Sequence, residues 1–386
     1  MNPARRVQQV LSPVIPLIAE WTAASPGTIS LGQGVVHYAA PPVVGDAVVQ
    51  GVRHDSRVDR YGSVSGLPDL LDAIAQKVGR DNGIDASRYC TLFSAGSNLA
   101  FANAVLAIAD VGDEIILPGP YYFNHHMAIE LAGCRVVVVP TDDAYQLDLP
   151  ALEAAITPRT RAIVTVSPNN PTGSVYPRQT LEAVNRLCQQ HACYHIADEA
   201  YEYFTYGGAE HFSPASLVDA AEHTISLYSL SKAYGMAGWR CGYMLAPQHL
   251  LTSLKKIQDT LLVCPPLVSQ LAALAALSVG RSWMAPYVAE LAVVRELALA
   301  ELSQLKVGCR VSRPEGAFYL FVQLDTELND MELVQALVRE YKVAVLPGST
   351  FGVTNGCALR ISFGSLTADA VTEGLRRLRC GLQALL

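Results

Sequence analysis

The feature that most constrains the fold is an alternation, across the middle of the chain, of short apolar runs with stretches of helical period. The stretches, such as Asn98–Ala109 and Leu181–His191, have the 3.6-residue period of helices. Seven runs are predicted as buried strands: Thr91–Ser94, Glu114–Leu117, Arg135–Val139, Ala162–Ser167, Tyr194–Ala197, Thr224–Leu227 and Gly242–Leu245. Because parallel strands need long crossover connections, the pattern predicts an α/β fold with a mostly parallel seven-stranded sheet flanked by helices.

The last third of the chain has a different pattern. Its predicted elements are a helix over Met284–Lys306, a strand over Gly316–Gln323, a helix over Met331–Tyr341, short strands near Val343–Leu346 and Ala358–Ser362, and a final helix over Thr367–Leu385. This predicts a smaller α+β domain over residues 286–386, after a large domain over residues 46–285. Residues 1–45 are rich in proline and glycine and are predicted to be irregular; they join the small domain or wrap a partner subunit.

Charge and composition exclude several classes of partner. The chain of 386 residues has a net charge of −7, which argues against nucleic acid or an anionic membrane as a general partner. Its nine cysteines are scattered without a C-x-x-C pair, which indicates reduced thiols rather than a disulfide scaffold. His126 and Glu130 lie four residues apart on a predicted helix, but two candidate ligands do not make a metal site.

One uncharged stretch, Leu261–Gly280, is about as long as a membrane is wide. It is interrupted by Pro265 and Pro266, so it is predicted to be a buried helix that begins after the two prolines. The N-terminus has no pattern of signal-peptide type. The chain is therefore predicted to be cytoplasmic.

One of the six lysines, Lys232, has surroundings suited to chemistry. It lies in the segment Ser229–Arg240, whose small residues and two glycines would let a bulky ligand approach the backbone. An amine in such a pocket would have a lowered pKa and could attack an aldehyde. Considered alone, a structural lysine is the simpler interpretation.

Polar groups follow two predicted strands, at the edge of the sheet where open α/β folds place their ligands. Asp198 follows the run Tyr194–Ala197, and its carboxylate needs a cationic partner, such as a protonated pyridine nitrogen. Tyr201 could donate to a ring hydroxyl, as could the amide of Asn170 in the turn after Ala162–Ser167. The alternatives are an aspartate that caps the next helix and a plain Asn-Pro turn.

Two further features suit anions. Backbone N–H groups at the start of the helix after Ser94–Asn98 would form an anion site, and Ser229 and Arg240 could complete a cradle for a phosphate. Arg360 lies inside an apolar strand, where a buried guanidinium must meet an anion. A bidentate carboxylate fits its fork, and an internal salt bridge is the alternative.

These features follow one another as a phosphate loop, an Asn turn, a strand-end Asp, a lysine and an arginine, which together suit one cofactor and one amino-acid substrate. Three segments resemble the signature blocks of the class I/II aminotransferases of the aspartate aminotransferase superfamily: Ser-Pro-Asn-Asn-Pro-Thr-Gly at 167–173, Ala-Asp-Glu-Ala-Tyr at 197–201 and Ser-Leu-Ser-Lys-Ala-Tyr-Gly-Met-Ala-Gly-Trp-Arg at 229–240. The likeness extends from Leu31 to Ser362. It implies fold type I, the cofactor pyridoxal 5′-phosphate and a homodimer with shared active sites.

The resemblance also implies a role for each site residue. The cofactor site would consist of Lys232 as the Schiff-base lysine, Asp198 at the pyridine nitrogen, Asn170 and Tyr201 at the ring hydroxyl, Tyr122 stacked on the ring, Ser97, Asn98, Ser229 and Arg240 at the phosphate, and Tyr61 at the phosphate of the neighbouring subunit. The substrate site would consist of Arg360 and the Gly34 backbone at the α-carboxylate, together with Asn170 and Tyr38. The catalytic residues would be Lys232, Asp198 and Tyr201.

The substrate is constrained only in part. Aspartate-using members of the related subgroup often have a lysine where Asn98 stands, which weakens a dicarboxylate-specific interpretation. His37, Tyr38 and Tyr121 would give the substrate entrance an aromatic surface, or the first two are packing residues. We therefore expect transfer of the amino group of a neutral or aromatic L-amino acid to a 2-oxo acid such as 2-oxoglutarate or pyruvate. An aspartate/glutamate-type aminotransferase and a pyridoxal-phosphate-dependent lyase on the same fold are the alternatives.

Three other classes of function are less well supported. Ser229–Lys232 matches the S-x-x-K pattern of serine acyl-transfer enzymes, but no lysine here is followed by Thr-Gly. Gly32-Gln33-Gly34 lacks the third glycine of a nicotinamide-binding fingerprint. A catalytically inactive binding protein on the same fold would not need the full set of Lys232, Asp198 and Arg360.

Overall fold

The computed structural model describes residues 2–386. The strands are β1 (Ile29–Ser30), β2 (Tyr89–Ser94), β3 (Glu114–Gly119), β4 (Arg135–Pro140), β5 (Thr160–Val166), β6 (Tyr194–Asp198), β7 (Thr224–Ser229), β8 (Gly242–Pro247), β9 (Cys309–Val311), β10 (Tyr319–Leu324), β11 (Val343–Ala344), β12 (Leu346–Pro347) and β13 (Cys357–Ser362). The helices are α1 (Arg5–Gln9), α2 (Val14–Ala23), α3 (Pro42–His54), α4 (Pro68–Asn82), α5 (Ser97–Ile108), α6 (Phe123–Leu131), α7 (Leu149–Ala154), α8 (Arg178–Gln190), α9 (Leu230–Ala233), α10 (Leu251–Leu262), α11 (Leu267–Val279), α12 (Ala285–Leu302), α13 (Asp330–Tyr341) and α14 (Ala368–Leu385).

The seven strands predicted in the middle of the chain are present as β2–β8 and form one sheet, in the order β2-β8-β7-β6-β5-β3-β4. All neighbouring strands are parallel except the pairs that involve β8, which is antiparallel to both β2 and β7. The other parallel strands are joined through α-helices, whereas the long connection between β6 and β7 contains only short 3-10 turns. The predicted α/β class with a mostly parallel seven-stranded sheet is therefore confirmed.

The sheet brings the carboxyl ends of its central strands together. Val166 at the end of β5 pairs with Asp198 at the end of β6, and Asp198 pairs with Leu227 near the end of β7. Because β8 runs in the opposite direction, its first residue, Gly242, lies at this same edge. The segment before β8, which contains Arg240, is thereby brought to the ends of the parallel strands.

The C-terminal third forms a second, antiparallel sheet in the order β12-β13-β10-β9, next to α12, α13 and α14. The N-terminal segment packs with this C-terminal third, since β1 and β11 form a separate two-stranded parallel sheet and α2 packs against α13. On these contacts we propose a small domain made of residues 1–45 and 286–386, and a large domain of residues 46–285. Helix α12 begins next to the boundary at Pro286.

Residues 1–45 are not irregular throughout, so that prediction was wrong for α1 and α2. Helix α2 contains Pro16, and a proline in the interior of a helix usually breaks the helix. Here Pro16 is the third residue of the helix, where the backbone N–H has no intrahelical acceptor to lose. A proline in the first turn is therefore compatible with the helix.

Strand β4 is not buried, contrary to the prediction for Arg135–Val139. It lies at the edge of the sheet and pairs only with β3. Val138 is 45% exposed, and of the six residues only Val139 is buried. An apolar run indicates a strand, but its position in the sheet depends on pairing that a local pattern does not encode.

No helix within residues 2–386 is both long and apolar enough to cross a membrane. The uncharged stretch Leu261–Gly280 is divided between the end of α10 and α11, with Pro265 and Pro266 between them. The predicted helix after the two prolines is present as α11, which packs against α3 and α4.

Candidate active site

A cavity lies at the carboxyl ends of β5, β6 and β7. Its lining residues are Ser97, Asn98, Tyr122, Val166, Asn170, Asp198, Ala200, Tyr201, Ser229, Ser231, Lys232 and Arg240. Nine of the ten residues predicted to bind the cofactor are in this set. The tenth, Tyr61, lies outside the cavity and is 86% exposed. Residues from six separate segments of the chain thus meet at one place, as strand-end placement predicts.

Lys232 lies on the short helix α9, directly after β7. Its Nζ donates to the backbone carbonyl of Gly34 at 2.6 Å. The pKa of Lys232 is lowered to about 8, mainly by burial and in addition by the positive charges of Arg360 and Arg240. A large fraction of the amine is therefore neutral near pH 8, in the form that can act as a nucleophile or a base.

Asp198, the last residue of β6, has two kinds of partner. Its Oδ1 accepts from the backbone N–H of Ala200 at 3.1 Å and stabilises the following turn, and no helix begins there for the aspartate to cap. Its Oδ2 lies 3.0 Å from Nε2 of His125. The carboxylate therefore faces the cavity with its position set from two sides.

His125 was not predicted from the sequence. Its ring stacks on Phe101 at 4.0 Å and meets the ring of Tyr122 edge-on at 5.2 Å. Tyr122 caps α6 and His125 follows three residues later, so the two lie on the same face of the helix. This spacing is the one local signal that could have placed His125 beside the predicted stacking residue.

Arg360, in β13, is a buried cation with no carboxylate partner among residues 2–386. Its Nη1 donates to Oδ1 of Asn170 at 3.0 Å and its Nη2 to the carbonyl of Gly32 at 2.6 Å, while Nε has no hydrogen-bond partner. Burial lowers the pKa of the guanidinium. Both observed acceptors are neutral, so the internal salt bridge considered above is absent, and the arrangement favours an incoming anion.

The residues predicted to hold a phosphate lie together at the start of α5. Gly96, with φ of +87°, precedes the helix, and a Cβ at this position would collide with the guanidinium of Arg240. Arg240 has φ of +53°, and its Nη1 donates to the carbonyl of Ala237 at 3.0 Å. The free N–H groups of the first helical turn and this guanidinium together suit an anion.

Tyr319, in β10, was also missed. Its hydroxyl lies 2.6 Å from that of Tyr201, and its ring lies beneath Arg360, 4.4 Å from ring centroid to Cζ. Nothing in the pattern of β10 distinguishes this tyrosine from a core residue. Its contact with Tyr201 joins positions 118 residues apart in the chain.

Tyr38 contacts the lysine segment from outside the cavity. Its hydroxyl lies within donating distance of the carbonyls of Lys232, at 3.0 Å, and Ala233, at 3.1 Å, and its ring stacks on Tyr287 at 3.9 Å. His37 lies beside it, 3.3 Å from Glu290. The structure thus shows the packing alternative for these two residues, and the predicted substrate contact of Tyr38 stays a prediction.

The predicted aromatic entrance also included Tyr121. This side chain is 7% exposed and stacks on His126 at 5.2 Å. Its backbone N–H donates to the carbonyl of Phe351. Tyr121 therefore joins the segment before α6 to the small antiparallel sheet.

Comparisons with known proteins agree with this geometry. The model of the family "Aminotransferase class I and II" matches residues 26–378. The chain is 33% identical to the aromatic aminotransferase ISS1 of Arabidopsis thaliana, over 99% of this chain and 97% of that protein, and 33% identical to a probable aspartate/prephenate aminotransferase of Aquifex aeolicus, over 97% and 96%. A crystal structure described as Pyrococcus protein-A1 superposes with a TM-score of 0.92 at 32% identity, over 98% of both chains. The chain therefore belongs to the class I and II aminotransferases and is an aminotransferase.

Proposed function

We propose that this aminotransferase binds pyridoxal 5′-phosphate at Lys232 and transfers the amino group of a neutral or aromatic L-amino acid to a 2-oxo acid such as 2-oxoglutarate. The observation that carries the proposal is that a lysine of lowered pKa, Lys232, and a strand-end carboxylate, Asp198, line one cavity. The buried guanidinium of Arg360 donates to Asn170, which lines the same cavity. Membership of the aminotransferase family argues against the acyl-transfer and nicotinamide hypotheses.

The residues present fit this cofactor. A carboxylate, Asp198, is available for a protonated ring nitrogen. Within residues 2–386 no carboxylate forms a salt bridge with the amine of Lys232, whose Nζ donates to the carbonyl of Gly34. The start of α5 with Arg240 suits a phosphate, and the tight approach of Arg240 to Gly96 explains why a residue without a side chain stands there. When bound, the cofactor withdraws electrons from the substrate Cα and makes its proton removable.

The chain's own residues would then divide the work. Arg360, with Asn170 beside it, binds the substrate α-carboxylate and orients Cα. Nζ of Lys232 accepts the Cα proton as general base and later delivers it to the neighbouring carbon. Asp198, held by His125 and by the N–H of Ala200, keeps the ring nitrogen protonated.

The lining of the cavity supports an amino-acid substrate whose side chain has no carboxylate. Its cationic side chains are those of Lys232 and Arg240, and both have roles with the cofactor. Asn98 stands where a lysine would favour a dicarboxylate, and Val166 and Ala200 add apolar surface. An aspartate/glutamate-type activity is kept as the second candidate, because several similar proteins have names of the aspartate or aspartate/prephenate type.

A homodimer with shared active sites is part of the proposal. Tyr61 is 86% exposed and lies outside its own cavity, close to the exposed Val263 and the half-buried Leu262. This arrangement fits a tyrosine that reaches the phosphate of a neighbouring subunit. The cytoplasmic location stays a prediction from the sequence.

An absorbance spectrum of the purified protein with pyridoxal phosphate tests the proposed function. We expect a visible band that bleaches on addition of aromatic or neutral amino acids, with release of the matching 2-oxo acid. Bleaching by aspartate and glutamate alone would instead select the second candidate. A Lys232→Ala variant is the matched control and should give no such band; a band of normal position and intensity in this variant would refute the assignment of Lys232.

A further inference from the structure

Two buried tyrosine hydroxyls meet behind the cavity. Oη of Tyr201 and Oη of Tyr319 lie 2.6 Å apart, and the side chains are 5% and 1% exposed. Tyr201 lines the cavity, whereas Tyr319 lies behind it at the start of β10. Tyr319 is thus placed to act on the cavity through Tyr201.

The number of hydrogens sets the direction of this contact. A phenol donates one hydrogen bond and can accept others. Burial raises the pKa of Tyr201 and raises that of Tyr319 to about 12, so both hydroxyls carry their protons. If Tyr201 donates its one hydrogen to the ring hydroxyl of the cofactor, Tyr319 must be the donor in the 2.6 Å contact.

Tyr319 also touches the proposed carboxylate site. The guanidinium of Arg360 lies over its ring at 4.4 Å, and this positive charge opposes the effect of burial on the pKa of Tyr319. A Cβ on Gly34 would lie 2.6 Å from Oη of Tyr319, so the hydroxyl fits directly against the segment whose carbonyl accepts from Lys232. One side chain therefore lies against Tyr201, Arg360 and the Gly34 segment.

We infer that Tyr319 is a positioning residue that orients the Tyr201 hydroxyl and links it to the carboxylate site at Arg360. The inference rests on the proposed function, because it requires the cofactor's ring hydroxyl at Tyr201. A carboxylate bound to Arg360 offsets the guanidinium charge above Tyr319, which makes Tyr319 a weaker donor. Tyr201 then gives a weaker hydrogen bond to the ring hydroxyl, so the cofactor responds electronically when the carboxylate site is filled.

The test is a pH titration of the visible band of the cofactor-loaded protein. Tyr319→Phe removes one hydroxyl and keeps the ring beneath Arg360. A weaker hydrogen bond leaves the ring oxygen more basic, so the proton shared with it is held more tightly. We expect the midpoint to rise by about half to one pH unit, as the loss of one hydrogen bond allows.

A second titration tests the link to the carboxylate site. The probe is 3-phenylpropanoate, which has a carboxylate but no amino group to react. It should raise the midpoint in the wild-type protein and raise it less in Tyr319→Phe. Equal responses in the two proteins would refute the link.

Tyr206→Phe is the matched control. Tyr206 is also buried, its hydroxyl donates to the carbonyl of Ala317 at 2.6 Å, and the guanidinium of Arg295 lies 5.6 Å from its ring. It does not line the cavity, so its midpoint should equal that of the wild type. A Tyr319→Phe midpoint equal to that of this control would overturn the inference.

A double variant guards against an indirect effect of Tyr319→Phe on folding. In a Tyr201→Phe background, loss of the Tyr319 hydroxyl should add little to the shift of the midpoint, because Tyr319 acts on the cofactor only through the Tyr201 hydroxyl. Full additivity of the two shifts would contradict an effect of Tyr319 through Tyr201. A wild-type protein that forms no visible band would refute the proposed function itself, and this outcome differs from every outcome above.

Discussion

At the scale of single residues, the environment of Lys232 determines its reactivity. Burial and the nearby charges of Arg360 and Arg240 lower its pKa to about 8, against an ordinary lysine value of about 10.4. The neutral amine is the reactive form, so its population increases as the pH rises through the pKa. A lowered pKa therefore moves this increase into a range where the protein can be assayed.

We expect the cofactor-free protein to react with pyridoxal phosphate at a rate that rises with pH and levels off above a midpoint near 8. The rate of appearance of the visible band, measured from pH 6 to 10, gives this profile. The exposed Lys255 and Lys256 supply a background reaction, which a Lys232→Ala variant measures separately. A rate that stays low until pH 10 would show that Lys232 is an ordinary amine.

The residues that could be predicted are those whose role is written into a local motif. Asp198 follows an apolar run and Lys232 lies among small residues, and both line the cavity. His125 and Tyr319 could not be predicted in the same way, because their importance comes from contacts with Asp198 and Tyr201 that join distant segments. The sequence shows which groups can react but not which groups hold them in place.

At the scale of elements, the site exists because strand ends lie side by side. The period of the sequence predicts each strand of the large sheet, but it does not give the neighbours of a strand. The edge position of β4 and the reversed direction of β8 both depend on pairing, which is decided by the packing of the whole sheet. The reversal of β8 has a consequence for function, since it carries Arg240 to the cavity.

A buried ion pair fixes the segment that follows β6. Lys77 on α4 pairs with Glu202, next to Tyr201, and the two side chains are 3% and 8% exposed. Asn82 donates to the same carboxylate at 2.8 Å. Removal of the lysine leaves a buried carboxylate without its counterion, which costs about 3–5 kcal/mol in comparable cases.

Lys77→Met should therefore lower the thermal unfolding midpoint of the cofactor-loaded protein by several degrees. The exposed pair of Arg178 and Glu182 on α8 supplies the control, because Arg178→Met should cost less than about 1 kcal/mol. The double variant Lys77→Met/Glu202→Leu should recover part of the loss, since it removes the unpaired charge as well. Similar midpoints for Lys77→Met and Arg178→Met would show that the buried pair contributes no more than a surface pair.

At the scale of the whole molecule, the N-terminal segment Gly32–Tyr38 contacts both β13 of the antiparallel sheet and the segment that follows β7 of the large sheet. The carbonyl of Gly32 accepts from Arg360, the carbonyl of Gly34 accepts from Lys232, and the Tyr38 hydroxyl donates to the backbone of Lys232. The proposed carboxylate site and the reactive lysine thus share a neighbour that belongs to the proposed small domain. Movement of this segment would change both sites together.

The proposed sharing of active sites between two subunits can be tested with a heterodimer of two variant chains. If Tyr61 reaches the phosphate of the neighbouring subunit, each active site combines Lys232 of one chain with Tyr61 of the other. A heterodimer of a Lys232→Ala chain and a Tyr61→Ala chain then contains one site with both residues intact and one site with neither. Co-expressed chains with two different affinity tags allow this heterodimer to be isolated.

Such a heterodimer should have about half of the wild-type activity per dimer, because one of its two sites is complete. The matched control combines Lys232→Ala with Asp198→Ala. Both of these residues line the same cavity of one chain, so neither site of that heterodimer is complete and activity should stay at the level of the parent variants. If the Tyr61→Ala homodimer is itself impaired, recovery in the first pair alone requires that Tyr61 act across the interface, whereas no recovery in either pair would place the function of Tyr61 within its own chain.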